Sequence, residues 1–375
     1  MNELKNKIEF KSTPVVSAQE FQNVAIDYYF NELGKGIKPK NISPIMVWGA
    51  PGVGKSESVY NIARELEVKT GKKVTVLDVR LSLFNPVDLR GIPSANADKT
   101  AAVWLKPAIF NFDDSEDLIN ILFLDELSTC SAAVQACAYQ ITLDRRIGEH
   151  KLPDNVLVIA AGNRKEDKSV SIQMPKALAN RMMHFDVESD LKSWKEWAIH
   201  NDIDYRVIGF LEYKPNYLEV GVNVNDLAYP TPRSWARVSE IIKTLGMTDN
   251  SNILISATVG MGVASEFLQF CKCTDKLPNV DKIFEGECDE VPNDIDIIYS
   301  LITAMTIKFK EYIENGKKVN NAIKFAMKMP LDFSLILHQN LVAYLNSNYK
   351  STNQLTMLED EDFYNWTNKL EEKIQ

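Results

Sequence analysis

The segment WGAPGVGKSESV, residues 48–59, decides the fold class. Residues 49–56 within it fit the pattern GxxxxGK[ST], in which glycines let backbone N–H groups turn toward an anion. A helix expected to begin near Lys55 adds the positive end of its dipole at the same place. The apolar run PIMVWG, residues 44–49, predicts a buried strand that leads into the loop. This strand, loop and helix order is the one that phosphate binding requires.

The loop therefore predicts a nucleotide site. Lys55 is expected to reach the β- and γ-phosphates, and the Ser56 hydroxyl is expected to hold Mg²⁺. The residues predicted to bind the nucleotide are Gly49, Ala50, Pro51, Gly52, Val53, Gly54, Lys55 and Ser56.

Four further apolar runs predict strands, and they alternate with segments of helical spacing. The runs are KKVTVLDVRL (72–81), NILFLDE (120–126), NVLVIAAGN (155–163) and MMHFDVE (182–188). Continuous apolar strands alternating with helices predict an α/β fold with a parallel sheet covered on both faces. Residues 15–34 have the spacing of one amphipathic helix.

The apolar spacing changes at Ser189 and is helical from there to the end of the chain. We therefore predict three domains: an α/β nucleotide-binding domain over 1–188, a helical domain over 189–270 and a helical C-terminal extension over 271–375. The helix at TPRSW, residues 231–235, has a clear start, with Thr231 as N-cap and Pro232 at the first helical position.

Three polar residues end the third and fourth predicted strands. Asp125 stands where it can hold Mg²⁺ at the carboxyl end of its strand, the edge where ligands bind in open α/β sheets. Glu126 beside it can polarise a water for attack on the γ-phosphate. Asn163 ends the next strand, and its amide can orient that water. The acidic pair of Asp125 and Glu126 favours hydrolysis of the nucleotide over transfer of its phosphate to a small acceptor.

Three arginines are candidates for contact with the γ-phosphate. Arg181 precedes the fifth strand, where it can reach into the nucleotide site of a neighbouring subunit, and Arg164 is its competitor. Arg233, in a first helical turn, reaches the phosphate if the helical domain folds over the site.

The composition limits the partners and the compartment. The formal net charge is −9, which disfavours a general DNA-coating role. No apolar run is long enough to span a bilayer, and the first residues contain no apolar signal core. The odd number of cysteines, five, is typical of free thiols in a reducing compartment. We expect a cytoplasmic protein with no membrane contact.

These motifs, in this order, resemble the AAA+ ATPases. GAPGVGKS resembles Walker A and LFLDE resembles Walker B, while Asn163, Arg181 and Arg233 resemble sensor 1, the arginine finger and sensor 2. Residues 85–110 have the character of a hairpin inserted in the second helix, and residues 143–163 that of a short hairpin before the sensor strand. Both are similar to the MoxR-like, helix-2-insert branch, as are TPRSW and VGMGVASEF (259–267).

The resemblance implies a core of five strands in the order 5-1-4-3-2 with a helical lid. It implies ATP as the nucleotide, with Mg²⁺, bound at the interfaces of a homo-oligomeric ring that is usually a hexamer. The two hairpins would face the central pore, and the ring would remodel or mature a protein target. Many such ATPases act with a partner that has a von Willebrand factor A domain, and this chain contains no DxSxS stretch of its own.

Two other functions stay open at this point. One is a nucleic-acid-associated AAA+ motor or clamp, for which Lys99 and Lys106 in the insert provide little positive charge. The other is a nucleotide-gated interaction module or a P-loop kinase, which would not need Arg181. Phe84 and Trp104 are candidates either for contact with a target or for packing in the local core.

Overall fold

The computed structural model describes residues 13–164, 174, 176–220, 227–274, 277–313, 315–348 and 361–374. The chain divides into two compact units, Met1–Asp190 and Leu191–Gln375. The predicted lid and the predicted C-terminal extension both fall within the second unit. No helix among the described residues combines the length and the apolar character needed to cross a membrane.

The first unit is an α/β structure. Its described strands, in chain order, are β1 (Val15–Ser17), β2 (Ile45–Trp48), β3 (Lys73–Arg80), β4 (Ile92–Ala95), β5 (Ala102–Leu105), β6 (Leu118–Asp125), β7 (Arg146–Ile147), β8 (His150–Lys151), β9 (Val156–Gly162) and β10 (Met183–Glu188). Its described helices are α1 (Ala18–Gly34), α2 (Lys55–Thr70), α3 (Pro86–Arg90), α4 (Ala132–Asp144) and α5 (Lys176–Ala179).

The main sheet has six parallel strands in the order β1-β10-β2-β9-β6-β3. The prediction of a five-stranded sheet is therefore wrong in strand count, and the order of the whole sheet differs from 5-1-4-3-2 by one added edge strand. The five predicted strands are present, and β1 adds a sixth at the edge beside β10.

The extra strand comes from a segment that the sequence analysis placed in a helix. Helix α1 begins only at Ala18, because Ser17 caps it: its side chain accepts from the Glu20 N–H at 3.2 Å, and Glu20 Oε2 accepts from the Ser17 N–H at 2.8 Å. The residues before the cap are Val15 and Val16, and β-branched side chains favour extended backbone.

Alternation of side chains along the strands builds a core on each face of the sheet. Ile45 and Val47 pack with α1 and α2, whereas Met46 packs on the opposite face with α4. Strands β6 and β9 are buried along their whole lengths. Burial on both faces explains why they read as continuous apolar runs.

Both predicted hairpins are present. Strands β4 and β5 pair in the 85–110 insert, and β7 and β8 pair before β9. The two hairpins contact one another, because His150 Nε2 lies 2.8 Å from the Trp104 carbonyl oxygen. Gly148, at φ +56°, approaches the Arg90 carbonyl so closely that a Cβ would lie 2.7 Å from that oxygen.

The described part of the second unit is helical. Its helices are α6 (Leu191–His200), α7 (Tyr205–Tyr213), α8 (Pro232–Leu245), α9 (Asp249–Val259), α10 (Met261–Thr274), α11 (Val280–Glu285), α12 (Ile295–Tyr312), α13 (Gly316–Ala326), α14 (Leu331–Asn348) and α15 (Glu361–Ile374).

A buried polar network crosses the predicted boundary at residue 270. Lys195 on α6 forms an ion pair with Glu212 on α7 and donates to Asn340 Oδ1 on α14 at 2.6 Å. Thr303 on α12 donates to the other Glu212 oxygen at 3.0 Å. The helices of the predicted lid are therefore fastened to those of the extension within one unit.

Candidate active site

The phosphate loop connects β2 to α2, and its glycines are required by its shape. Gly52 and Gly54 have φ values of +91° and +95°, a region that favours glycine. A Cβ on Gly49 would lie 2.5 Å from the Val187 carbonyl oxygen. Val53 is buried in the core and anchors the loop. The sequence thus forces a loop whose backbone is left open to an anion.

Lys55 occupies the first turn of α2 with its ammonium over this loop. Its Nζ donates to the carbonyl oxygens of Gly49 at 2.6 Å and Ala50 at 2.9 Å, and to Asn163 Oδ1 at 3.1 Å. A cation held at the mouth of the loop fits a phosphate, because an anionic oxygen is a stronger acceptor than a carbonyl.

The oxygen atoms predicted to hold a metal lie together. Ser56 Oγ donates to Asp125 Oδ2 at 3.2 Å, and Asp125 Oδ1 accepts from the Glu126 N–H at 2.8 Å. Asp125 is buried at the end of β6. A hydroxyl and a carboxylate beside a phosphate loop are the hard oxygen donors that Mg²⁺ prefers, so these residues fit that ion.

Glu126 leaves β6 with a left-handed backbone, at φ +60°. Its carboxylate accepts a hydrogen bond from Ser82 Oγ and lies 3.8 Å from Arg80 Nε. Both partners follow from strand pairing, since Arg80 is the register partner of Asp125. The side chain predicted to activate water is thus held toward the end of β3.

Asp78 on β3 is a further acid of the site that the sequence analysis missed. Partial loss of hydration raises its pKa, and the charge of Asp125 raises it further. Tyr60 on α2 donates to Asp78 Oδ2 at 3.2 Å. Its position at the carboxyl end of a strand next to that of Asp125 was the available signal, but the pairing of β3 with β6 was needed to use it.

Asn163 follows β9, and two bonds fix it. Its N–H donates to Ser128 Oγ at 2.8 Å, and its side chain accepts from Lys55. The preceding Gly162 is confined, since a Cβ there would lie 2.8 Å from both Ser128 Oγ and Met46 Cε. The amide therefore stands beside the phosphate loop in a tightly packed turn.

Arg164 is held within its own chain. Its Nε lies 2.7 Å from Asp186 Oδ1, one terminal nitrogen lies 3.1 Å from Glu188 Oε1, and the other donates to the Val187 carbonyl at 2.9 Å. These contacts tie the end of β9 to the end of β10. They make Arg164 a poorer candidate than Arg181 for reaching another subunit.

The other two arginines are exposed. Arg181 lies in the turn between α5 and β10, followed by the buried Met182. Arg233 belongs to the second unit, in the first turn of α8, which Thr231 caps by accepting from the Ser234 N–H at 3.0 Å.

The two aromatic candidates in the insert have different surroundings. Phe84 packs against the core on the α4 face, whereas Trp104 is half-buried on β5. Exposed apolar side chains lie on the hairpin itself: Ile92 and its register partner Leu105 are 61% and 57% exposed.

Within the first unit, the structure brings Lys55, Ser56, Asp125 and Asn163 together, with Glu126 directly beside Asp125. Lys55 and Ser56 begin α2, which follows β2 through the phosphate loop, and the others lie at the carboxyl ends of β6 and β9; β2, β9 and β6 are neighbouring strands of the sheet. Such an edge is where ligands bind in open parallel sheets.

Comparison with known proteins agrees with this geometry. The model of the ATPase family associated with various cellular activities (AAA) matches residues 45–188. No curated protein matches the chain.

Solved structures with a partial likeness include PCH-2 from C. elegans, at 17% identity and a TM-score of 0.35 over 78% of this chain and 69% of that one. A mutant of Thermotoga maritima RuvB has 14% identity and a TM-score of 0.39 over 80% of this chain and 86% of that one. At TM-scores this low, the assignment rests on the family match and the site. Residues 45–188 therefore match an AAA ATPase family domain.

Proposed function

We propose that this chain is a MoxR-like AAA+ ATPase that hydrolyses ATP at sites shared between copies in a ring and uses the energy to remodel or mature a protein target. The observation that carries the proposal is the convergence of Lys55, Ser56, Asp125 and Asn163 at one edge of the sheet. The family match over residues 45–188 supports ATP as the nucleotide.

Each residue has a role that its position supports. The loop backbone and Lys55 would bind the β- and γ-phosphates. Ser56 and Asp125 would hold Mg²⁺, which supplies positive charge against the phosphate oxygens. Glu126 would accept a proton from the attacking water, and Asn163 would orient that water.

Assembly of the ring is supported by the arginines. Arg181 is exposed on the first unit, as an arginine that serves a neighbour must be. Arg164, its competitor, is bound to three successive residues of β10 in its own chain. We therefore assign the finger to Arg181, and we assign Arg233 as the phosphate sensor of the lid.

A protein target is favoured by the hairpin of the insert. Its face formed by Ile92, Val103 and Leu105 is apolar and exposed. Such a face suits contact with an unfolded or extended polypeptide better than contact with a phosphate backbone. A partner with a von Willebrand factor A domain would select the target, as the MoxR-like resemblance implies.

The experiment is to compare Glu126→Gln with the wild-type chain. We expect the variant to bind ATP and to hydrolyse it about 100-fold to 1,000-fold more slowly, so that an ATP-bound assembly accumulates. Glu57→Gln is the matched control, because Glu57 lies in the first turn of α2 and its exposed carboxylate pairs with Arg64. Capture of proteins on the trapped assembly then identifies the target. Unchanged hydrolysis by Glu126→Gln would refute the site assignment.

A further inference from the structure

A tryptophan and a histidine connect the strand of the phosphate loop to β10. Trp48, the residue before Gly49, donates from Nε1 to His184 Nδ1 at 3.0 Å. The planes of the two rings are 14° from parallel and their centroids lie 6.2 Å apart. The side chain at the entrance to the loop is therefore fixed against one residue of the neighbouring strand.

The other nitrogen of the same ring faces the segment that carries Arg181. His184 Nε2 lies 2.7 Å from the Ala179 carbonyl oxygen. The indole N–H can only donate, so Nδ1 is the acceptor and Nε2 carries the proton that is donated to Ala179. One neutral imidazole thus satisfies two fixed partners on opposite sides.

The Ala179 carbonyl closes a turn. It accepts a second hydrogen bond from the Met182 N–H at 3.3 Å, which makes 179–182 a four-residue turn with Arg181 at its third position. The Met182 side chain is buried in the core, while Arg181 is exposed. The position of the guanidinium therefore depends on a turn that His184 helps to fix.

We propose that His184 is a positioning residue that fixes the Arg181 turn to Trp48, the residue that leads into the phosphate loop of the same chain. The inference rests on the proposed function, in which Arg181 serves the ATP of a neighbouring copy. It goes further by naming the contacts that link the phosphate loop of one chain to the Arg181 turn of the same chain. That Arg181 would enter the ATP site of the next chain.

A mixture of two defective chains separates this role from others. Arg181→Ala keeps a complete Walker site but offers no finger, and Glu126→Gln keeps its finger but cannot hydrolyse. In an equimolar mixture, hydrolysis arises only where an Arg181→Ala site meets the finger of a Glu126→Gln chain. The ATPase rate of the mixture therefore measures how well Arg181 of the Glu126→Gln chain serves the Walker site of the Arg181→Ala chain.

His184→Phe is then added to either chain, because phenylalanine keeps an aromatic ring and loses both hydrogen bonds. Placed in the Glu126→Gln chain, which supplies the finger, it should lower the rate of the mixture about tenfold. Placed in the Arg181→Ala chain, it should leave most of the rate. His184→Gln in the finger chain should restore much of the rate, since an amide has both a donor and an acceptor.

If His184→Phe simply destabilised the fold, it would lower the ATPase rate whichever of the two chains carried it. The Tm of each double variant measures such a loss of stability directly. Equal losses in both placements, a loss only in the Arg181→Ala chain, or no loss would each overturn the role of His184. A parental mixture without activity would overturn the trans-acting role of Arg181 and this inference with it. An active parental mixture that tolerates His184→Phe would overturn this inference alone.

Discussion

Lys55 Nζ and Asn163 Oδ1 are joined by a hydrogen bond of 3.1 Å across the mouth of the phosphate loop. The bond links the first turn of α2 to the end of β9. A γ-phosphate held by Lys55 would therefore lie within reach of Asn163. The backbone of the same residue is held by Ser128, whose Oγ accepts from the Asn163 backbone N–H at 2.8 Å.

Lys55→Ala should weaken ATP binding about 100-fold or more, because the loop loses the charge that would face the β- and γ-phosphates. Titration with a fluorescent ATP analogue measures the change. Lys69→Ala is the control, since Lys69 lies on the same helix and its exposed ammonium pairs with Asp27. Equal losses in the two variants would count against the loop as the nucleotide site.

Gly49→Ala should destabilise the first unit by about 2–3 kcal/mol, because its Cβ would lie 2.5 Å from the Val187 carbonyl oxygen and backbone cannot easily give way. Chemical denaturation checks the value. Gly34→Ala is matched to it: a Cβ at Gly34 meets nothing within 4 Å. A Gly49→Ala chain as stable as the wild type would show that the loop sits differently against β10.

Arg164→Ala and Arg181→Ala should separate stability from activity. The Arg164 and Asp186 side chains are only 19% and 10% exposed, so removing Arg164 leaves carboxylates without their cation and should cost about 2–3 kcal/mol. Arg181→Ala should leave the unfolding free energy within about 0.5 kcal/mol and abolish ATPase activity. Measured together, these two quantities decide which arginine is the finger; a stable, inactive Arg164→Ala chain would reverse the assignment.

Asp78→Asn should stabilise the nucleotide-free chain at neutral pH. Partial loss of hydration and the charge of Asp125 raise the pKa of Asp78, so the folded state holds this proton more tightly than the unfolded state. As the pH rises through the carboxyl range, Asp78 becomes charged and the free energy of unfolding decreases. Well below about pH 4 the carboxyl is protonated in both states, and this decrease is absent. We expect a rise in Tm of about 1–2 °C at pH 7 and none at pH 3.

Asp113→Asn provides the contrast of opposite sign. Hydrogen bonds from Ser115 lower the pKa of Asp113, so its charged form favours the folded state at neutral pH. Its replacement should lower the Tm at pH 7, with the difference shrinking as pH falls through the carboxyl range. Thermal unfolding without Mg²⁺ at several pH values measures both variants; a Tm for Asp78→Asn that falls at pH 7 would contradict the electrostatic argument.

The sequence predicts the elements that carry a local signal. The five predicted strands are visible as apolar runs, which are continuous in β6 and β9 because both faces of those strands are buried. The phosphate loop is visible because its backbone demands glycine at fixed positions. The hairpin of the insert is also predicted, from a turn-rich segment between strands, and the hairpin before β9 is predicted from the resemblance to the MoxR-like branch. The short strand β1 was missed, because three residues show no periodicity and Ser17 ends the extended segment by capping α1.

The finer arrangement of the site depends on pairing between distant segments. The pairing of β3 with β6 places Arg80 opposite Asp125 and brings Ser82 to Glu126. The separation of the two strands along the chain does not predict this register, because the whole insert lies between β3 and β6. Likewise, the sequence names Arg181 as the finger with Arg164 as its competitor, and the ion pairs of Arg164 with β10 are what distinguish the two in the structure.

The measurement that tests the account most directly is the ATPase rate of an equimolar mixture of Arg181→Ala and Glu126→Gln chains. Each chain alone should be inactive, one for lack of a finger and the other for lack of a base. The mixture should recover activity, in proportion to the interfaces at which a complete Walker site meets an intact Arg181. A mixture as inactive as its components, although both chains bind ATP and assemble, would contradict a site shared between copies.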